Sequence, residues 1–491
     1  MNKLKKSLAL IATLAIASTA FYACGGDSSS TADTSSSTAD SSEAESSDAE
    51  SSEEETSDAE SSEAETSDAE SSEAEAPAEI KVGDDGDTLS ILCWTGDDVE
   101  KMIENFESAN PDYAGKCKYV NVGSKGQEAR EQYANYFAGG EDADLFVLEA
   151  DWILDYINND EYTAPLSDLG FTDSDFDGCY PYTVSIGTDN NGVLKAASWQ
   201  ATPGGYVYRT DLAEQYLGVK SPEEMQEKVK DWDTFTESAK TVKEASEGKT
   251  AMADTLGGMW QVWQYNRANA WLDADNKLVI DDFCKEYAEL AKEYYDNGYV
   301  TKEDQWSDGW YQIGQDDSTM GYFFCTWCLG SGSMLSNAEG GESGSTFGKY
   351  NITAGPSGWA WGGSWLALSP KCDNGTMAHD FVKYFTVDEN TAKDYALFKS
   401  EFVNNPSAMK AIVDEGSNKN DLLGGQDQFS VLYEAAGNID MDGKITAYDS
   451  QIKDAFNQAV QKYVKGDVAS YDDMITEFKK EAAKIEGITV E

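Results

Sequence analysis

Histidine is almost absent from this chain. His379 is the only one among 491 residues, and it lies in the segment AHDFVKYF, whose apolar spacing predicts a helix. With no second imidazole, chemistry built on paired histidines is disfavoured, and a zinc site would need Cys or carboxylate ligands. We therefore expect His379 to have a structural or surface role.

Basic residues are also scarce. The chain has 36 Lys and Arg against 91 Asp and Glu, which gives a formal net charge of −55. A surface of this sign repels phosphate backbones and anionic lipid head groups, so nucleic acids and polybasic docking to a membrane are not expected. The length allows two or three domains at about 150 residues each.

The N-terminus carries an apolar run, residues 8–16, that is too short to cross a bilayer comfortably. Three lysines precede this run and small residues follow it, an order that predicts a secretory signal. Cys24, placed after an alanine and before two glycines, resembles the cysteine of a bacterial lipoprotein signal. The resemblance implies that residues 1–23 are removed and that Cys24 is lipidated. Phe21 and Tyr22 depart from the usual lipoprotein pattern, so ordinary secretion stays an alternative.

Residues 24–80 contain no base and few apolar side chains, and from Ser41 they follow a five-residue repeat of the form SSEAE or TSDAE. Such a segment cannot offset the entropy of ordering, and its charges repel one another. We expect a disordered acidic tether with a reach on the order of 40 Å. Binding of divalent cations by this tract is an alternative.

The cysteine pattern excludes a complete disulfide framework. Of 8 cysteines, seven follow Cys24, which is an odd number. Cys325 and Cys328 form a lone CxxC that ends an apolar run typical of a strand, whereas a thioredoxin-like motif begins a helix. Free buried thiols are expected, with a local disulfide or redox catalysis as alternatives.

Strand and helix patterns alternate after residue 88. Apolar runs at 88–94, 116–122 and 144–148 predict strands, each followed by helical periodicity. This alternation predicts an α/β fold with a parallel, doubly wound sheet that binds its ligand at the carboxyl ends of the strands. The residues at those ends are Trp94, Asp97, Asp98, Glu149, Asp151 and Trp152.

Six segments in order carry a resemblance to a known family. They are 143–148 with Trp152, 191–199, 205–212 with 231–235, 319–327, 355–368 and 378–385. In this order and spacing they resemble the solute-binding lipoproteins of bacterial ATP-driven carbohydrate importers, the group that includes maltose-binding protein. The resemblance covers residues 88 to about 490.

The resemblance implies a two-lobed, periplasmic-binding-protein-like fold, each lobe a sheet flanked by helices, that closes on its ligand about a hinge. The expected N-terminal lobe is 81–196 with 366–403, and the expected C-terminal lobe is 197–365 with 404–491. The implied partners are the permease and ATPase subunits of an ABC importer. The implied place is the extracellular face of the cell membrane of a Gram-positive bacterium. The implied monomer is held there only by its lipid.

Aromatic residues are in excess, with 13 Trp and 26 Tyr. A sugar ring has an apolar face that stacks on an indole and a rim of hydroxyls that bonds to polar side chains. The tryptophans expected at cleft positions are Trp94, Trp152, Trp199, Trp327, Trp361 and Trp365. The resemblance adds a polar position beyond the crossover, at Gln200 or Thr202 where the family has a carboxylate, and Tyr448 as a late aromatic. For Trp306 and Trp310, helix packing is the favoured interpretation.

Residues 438–449 have the spacing of a calcium loop around Gly443. The expected ligands are Asn438, Asp440, Asp442, the carbonyl of Lys444, Thr446 and Asp449. Position twelve is Asp rather than the usual Glu, and no clear helix enters the loop. A ligand-side turn before a helix at 451–463 is therefore the alternative.

These patterns together predict a non-enzymatic protein that binds an extracellular oligosaccharide and delivers it to an importer. No cofactor is required, apart from a possible structural calcium ion. Three alternatives stay open. They are a surface glycan-capture protein without a transporter, a glycoside hydrolase using Glu149 and Asp151, and a receptor for polyamines or metal ions.

Overall fold

The computed structural model describes residues 79–123, 127–139, 143–330, 332–441 and 443–491. The predicted signal, the lipidation site Cys24 and nearly all of the tether lie outside these residues. The strands are β1 (Leu89–Cys93), β2 (Cys117–Asn121), β3 (Leu145–Glu149), β4 (Ala196–Ser198), β5 (Gly204–Arg209), β6 (Gly321–Cys325), β7 (Tyr350–Thr353) and β8 (Ser364–Leu368).

Helices fill the connections between these strands. They are α1 (Gly96–Ala109), α2 (Gln127–Gly139), α3 (Leu154–Ile157), α4 (Pro181–Ile186), α5 (Thr210–Leu217), α6 (Pro222–Val229), α7 (Trp232–Ala245), α8 (Leu256–Trp263), α9 (Asp282–Asn297), α10 (Asp308–Gln312), α11 (Met334–Glu339), α12 (Gly375–Thr386), α13 (Glu389–Lys399), α14 (Pro406–Glu415), α15 (Gln428–Ala436), α16 (Asp449–Lys465) and α17 (Tyr471–Ala482). Within the described ranges, no helix combines the length and apolar character needed to cross a bilayer.

The first sheet has the strand order β2-β1-β3-β8-β4 and defines the first lobe. Strand β1 pairs in parallel with β2 and β3, as the alternation of strands and helices predicts. Strand β8 runs antiparallel to both β3 and β4, so the sheet is mixed and the expectation of a wholly parallel sheet is wrong. The physical reason is that β8 enters from the other lobe and therefore starts at the edge where β3 ends, with Ser364 opposite Glu149.

The first sheet is buried between helices. Strands β1 and β3 read as continuous apolar runs, LSILC and LFVLE, as expected for strands covered on both faces. On α1, Val99, Met102 and Phe106 are buried at helical spacing, and the Phe106 ring packs edge-on against Phe381 of α12. His379 of α12 stacks on the ring of Phe171 at 4.5 Å, which gives this histidine a structural role.

The second sheet, of order β6-β5-β7, is antiparallel and defines the second lobe. Its central strand β5 is buried along its whole length, with Tyr206 packed against Phe235 of α7 and Phe323 of β6. Each sheet with its helices therefore has its own apolar centre, and the protein is a two-lobed α/β fold.

Three segments join the lobes, at residues 199–203, 354–363 and 400–405, and we call them the hinge ribbon. Strand β4 ends at Ser198 and β8 begins at Ser364. The segments are hydrogen-bonded side by side, because Ala201 N donates to Phe402 O at 3.0 Å, Asn404 N to Trp199 O at 2.9 Å and Trp361 N to Thr202 O at 3.2 Å.

Candidate ligand-binding cleft

A cavity of about 560 Å³ lies between the two lobes and against the hinge ribbon. Its size is that of a small-molecule site. The first lobe contributes Trp94, Thr95, Asp98, Glu149, Lys399, Ser400 and Glu401. The hinge ribbon and the start of β8 contribute Gln200, Gly362, Gly363 and Ser364, and the second lobe contributes Thr326, Trp327, Gly330, Gly332 and Ser333.

The aromatic wall of the first lobe is formed by Trp94, which directly follows β1. Its indole packs edge-on against Trp152 at 5.4 Å and against Tyr133 at 6.3 Å, and it stays half-buried. Trp152 itself is only 7% exposed and lines a smaller neighbouring cavity of about 50 Å³. Of the two predicted indoles, Trp94 is therefore the one that the structure presents to the larger cavity.

The charged groups on the first-lobe wall are paired. Asp98 at the start of α1 forms an ion pair with Lys399 at 2.9 Å, and both line the cavity. Asp97 precedes it on α1, and its side chain lies outside what the structure describes. The pair holds the end of α13 next to α1 and leaves little net charge at this corner.

Two carboxyl groups on the same wall have strongly raised pKa values. Burial, reinforced by the negative charge of Asp151, raises the pKa of Glu149 to about 8. Burial, reinforced by Asp98, raises the pKa of Glu401 to about 8 as well. Thr326 Oγ1 donates to Glu401 Oε1 at 3.4 Å. At neutral pH both carboxyls are largely protonated, so the cavity is close to neutral inside a very acidic protein.

Trp327 forms the aromatic wall of the second lobe, and the predicted residue Trp361, only 9% exposed, packs against it without lining the cavity. Trp327 lies on the 3₁₀ turn Thr326–Cys328, directly after β6, and lines the cavity. Its Nε1 donates to the carbonyl of Trp361 at 2.9 Å, and the two rings lie 5.0 Å apart. The carbonyl contact fixes the indole of Trp327 against the hinge ribbon.

Two predicted stacking residues, Trp199 and Trp365, do not lie on the cleft surface, and for them the prediction is wrong. Each is 1% exposed, and Trp365 Nε1 donates to the carbonyl of Thr183 in α4 at 2.9 Å. Successive side chains of an extended segment point to opposite faces. Gln200 and Ser364 line the cavity, so their neighbours Trp199 and Trp365 point into the core of the first lobe.

An ion pair links the lobes beside the cavity. Lys453 Nζ of α16 donates to Asp151 Oδ1 at 2.7 Å, and the Lys453 charge holds the pKa of Asp151 below its ordinary value. The same two residues line the smaller cavity together with Tyr265 and Arg267 of the second lobe. The structure therefore brings the predicted residue Asp151 into contact with the opposite lobe rather than into the larger cavity.

The segment around Tyr448 departs from its expected role. The Tyr448 ring packs against Gly487 near the C-terminus, so the prediction that it lines the ligand cavity is wrong. Glycine at 487 leaves the room that the ring occupies, and the backbone there has a φ of +97°.

Two carboxylates of the predicted calcium loop, those of Asp440 and Asp449, are bonded to cationic side chains. Lys444 Nζ contacts Asp440 Oδ2 at 3.1 Å, and Arg267 Nη2 contacts Asp449 Oδ2 at 2.7 Å. Asn438 donates to a backbone carbonyl, Thr446 donates to Asp449, and Asp442 lies outside the described residues. In the part of the chain that the structure describes, no three His, Cys, Asp or Glu side chains are placed to hold a metal ion. Calcium binding by this loop stays a prediction.

The seven cysteines after Cys24 are free, and six of them are buried. Cys325 Sγ and Cys328 Sγ lie 3.7 Å apart on either side of the turn that carries Trp327. The structure therefore shows two free thiols, Cys325 and Cys328, at the CxxC.

Sequence reasoning missed residues 399–401. They lie at and directly after the C-terminal end of α13 and carry no motif. They reach the cavity because the third segment of the hinge ribbon begins there, and only the strand topology shows this crossing.

Comparisons with known proteins agree with this architecture. A family model described as bacterial extracellular solute-binding protein matches residues 101–412. Among solved structures, a family 1 extracellular solute-binding protein is similar with a TM-score of 0.70 and 18% identity over 81% of this chain and 99% of its own. No curated protein matches the sequence significantly.

Two similar structures contain bound sugars. An ABC transporter-associated binding protein from B. animalis subsp. lactis, in complex with β-1,6-galactobiose, has a TM-score of 0.63 and 18% identity over 82% of this chain and 99% of its own. The galacto-N-biose/lacto-N-biose I-binding protein from Bifidobacterium longum, in complex with lacto-N-biose, has a TM-score of 0.62 and 15% identity over 83% and 100%. These likenesses concern the fold, whereas the family model matches more than half of the sequence. The chain therefore belongs to the bacterial extracellular solute-binding protein family.

Proposed function

We propose that this protein binds an extracellular oligosaccharide in the cleft between its lobes and delivers it to the permease and ATPase subunits of an ABC importer. The observation that carries the proposal is the lining of the larger cavity. Indoles stand on both lobes, at Trp94 and Trp327, and uncharged polar side chains lie between them, including Gln200, Ser333 and Ser364. Apolar faces with a polar rim match the surface of a sugar ring.

The electrostatics of the cavity favour a neutral ligand over a cation. A polyamine receptor would need ionised carboxylates facing its ligand. Here Asp98 is neutralised by Lys399, and the raised pKa values of Glu149 and Glu401 keep those carboxyls largely protonated at neutral pH. A protonated carboxyl can both donate to and accept from a sugar hydroxyl.

The similar structures support the same ligand class. Two of them were solved with disaccharides bound, β-1,6-galactobiose and lacto-N-biose. An oligosaccharide is proposed for this chain because indoles on both lobes, Trp94 and Trp327, line the same cavity, so that more than one sugar ring can be stacked.

A thermal-melt screen tests the proposal. The mature chain with Cys24→Ser would be melted with neutral oligosaccharides, and with polyamines, amino acids and calcium as controls. A ligand at a thousand times its Kd adds about 4 kcal/mol to the stability of the native state, which shifts the melt by several degrees. We expect a shift with one glycan series. Shifts with polyamines alone would overturn the proposal, and a shift with calcium would support the loop at 438–449.

Catalysis is not part of the proposed function. Incubating the protein with the glycan that binds should leave the glycan intact, as judged by chromatography of the products. Turnover would replace the transport proposal with the glycoside hydrolase alternative, in which two carboxyls act across the scissile bond.

Anchoring is proposed through Cys24, with the folded lobes on the extracellular face of the membrane as a monomer. Cells given a labelled fatty acid should label the wild-type chain and not Cys24→Ser. If the serine variant is also labelled, or neither chain is, the lipid anchor is wrong.

A further inference from the structure

Trp306 has the largest exposed fraction, 53%, among the exposed large hydrophobic side chains of the described residues. The sequence favoured helix packing for Trp306 and Trp310. This is right for Trp310, which is 0% exposed, and wrong for Trp306, which lies two residues before the start of α10. An indole this exposed gains little from burial, so its presence needs another reason.

The Trp306 ring is not isolated on the surface. It lies parallel to the indole of Trp327, with an interplanar angle of 10° and the ring centroids 6.2 Å apart. It also meets Trp361 edge-on at 5.6 Å. Because Trp327 lines the larger cavity, Trp306 continues the aromatic wall of the second lobe beyond that cavity.

The backbone holds Trp306 in a conformation that suits a smaller residue. Ser307 N donates to Asp304 O at 3.1 Å, which closes a turn with Trp306 in its third position, and the φ of Trp306 is +72°. Glycine or asparagine is usual where a turn needs a positive φ, and a bulky residue there is strained. Such strain is retained at functional sites when the surrounding structure enforces it.

The turn is anchored on its C-terminal side. Ser307 Oγ accepts from the backbone N of Trp310, and Trp310 Nε1 donates to the buried carboxyl of Asp254 at 2.7 Å. The strained indole is therefore held in place by a buried neighbour.

We propose that Trp306 is an additional stacking subsite on the second lobe, which binds a sugar ring of an oligosaccharide that extends out of the cavity. This inference rests on the proposed function and adds a determinant of chain length to it. Asp304 and Asp308, two residues before and two residues after Trp306 in the chain, are exposed and able to accept from the hydroxyl rim of that ring. A protein-docking surface would show a wider apolar patch than one exposed indole with acidic neighbours in the chain.

The test measures Kd by calorimetry for a ladder of neutral oligosaccharides, from disaccharide upward, in the series that binds the wild-type mature chain. Trp306→Gly should leave the Kd of the shortest ligand unchanged and weaken the longer ones by about 2- to 10-fold. Trp306→Tyr, which keeps a stacking face, should restore most of the loss. The unliganded melting temperature should not fall by more than a few degrees, because glycine suits the left-handed backbone.

Phe398→Ala is the matched control, because Phe398 is 47% exposed, lies on the first lobe and does not line the cavity. It should leave every Kd unchanged. The inference is overturned if Trp306→Gly leaves the Kd of every oligosaccharide in the series unchanged, or if it weakens binding of the shortest ligand as much as that of the longest. It is also overturned if Phe398→Ala weakens binding of the longer ligands to the same extent. If the wild-type chain binds no glycan, the proposed function itself is overturned. That result differs from one in which wild type and Trp306→Gly bind every oligosaccharide of the series with the same Kd, which overturns only this inference.

Discussion

Single residues set the charge of the cleft. Glu401 is 7% exposed, and burial raises its pKa from 4.5 to about 8. The folded state therefore holds a proton that the unfolded chain has lost above about pH 4.5. Stability from this group is fully present below that pH and is lost as the pH rises through about 8.

We predict that Glu401→Gln flattens the pH dependence of unfolding. The wild-type free energy of unfolding should fall by up to about 1.4 kcal/mol per pH unit for this group between its two pKa values. Glutamine cannot ionise, so urea melts between pH 5 and pH 8 should show a smaller slope for the variant. An unchanged slope would mean that Glu401 is ionised in the folded state.

Glu339→Gln separates the effect on stability from the effect on binding. Glu339 is fully buried at the end of α11, and burial raises its pKa to about 8, against a smaller lowering effect of the backbone N–H of Gly348. It does not line the cleft cavity, so its glutamine variant should flatten the slope in the same way and leave the glycan Kd unchanged.

At the scale of elements, the sequence predicted the strands well and the direction of the side chains less well. The runs at 88–94, 116–122 and 144–148 are β1, β2 and β3. Apolar runs identify buried strands, but on a strand covered on both faces they do not say which face meets the ligand. Trp365 and Ser364 are neighbours in β8, and only the partner strands and α4 decide which of them faces the cavity.

Trp365 is buried in the first lobe, whereas Trp327 lines the cavity, so substitutions at these two positions should have opposite effects on stability and on binding. Trp365→Phe should cost about 1–3 kcal/mol of stability, because it replaces the buried indole by a smaller ring and removes the hydrogen bond to the carbonyl of Thr183, and it should leave the glycan Kd unchanged. Trp327→Ala should weaken the glycan Kd by about tenfold. Chemical denaturation and calorimetry on both variants check this, and the reverse pattern would place the ligand on the other face of β8.

At the scale of the whole molecule, the lobes touch beside the cavity through the Asp151 and Lys453 ion pair. The Lys453 side chain is 19% exposed, whereas that of Asp151 is 56% exposed. Sequence patterns could not predict this contact, since the residues are 302 positions apart and belong to different lobes. They likewise could not predict that residues 399–401 form part of the cavity wall.

Lys453→Met should loosen closure. A partly exposed pair is worth up to about 1 kcal/mol, so the glycan Kd should weaken by no more than about 5-fold. The radius of gyration of the unliganded chain should rise in X-ray scattering. Lys410→Met, which removes an exposed pair with Asp414 within one helix, is the control and should change neither quantity. Identical scattering for wild type and Lys453→Met would show that the pair does not hold the lobes.

The most direct test of the central claim is a tryptophan-fluorescence titration of the mature chain at neutral pH, with neutral oligosaccharides in one series and spermidine in the other. A saturable change with a glycan, weakened in Trp327→Ala and absent with spermidine, is the predicted result. A saturable change with spermidine and none with any glycan would contradict it.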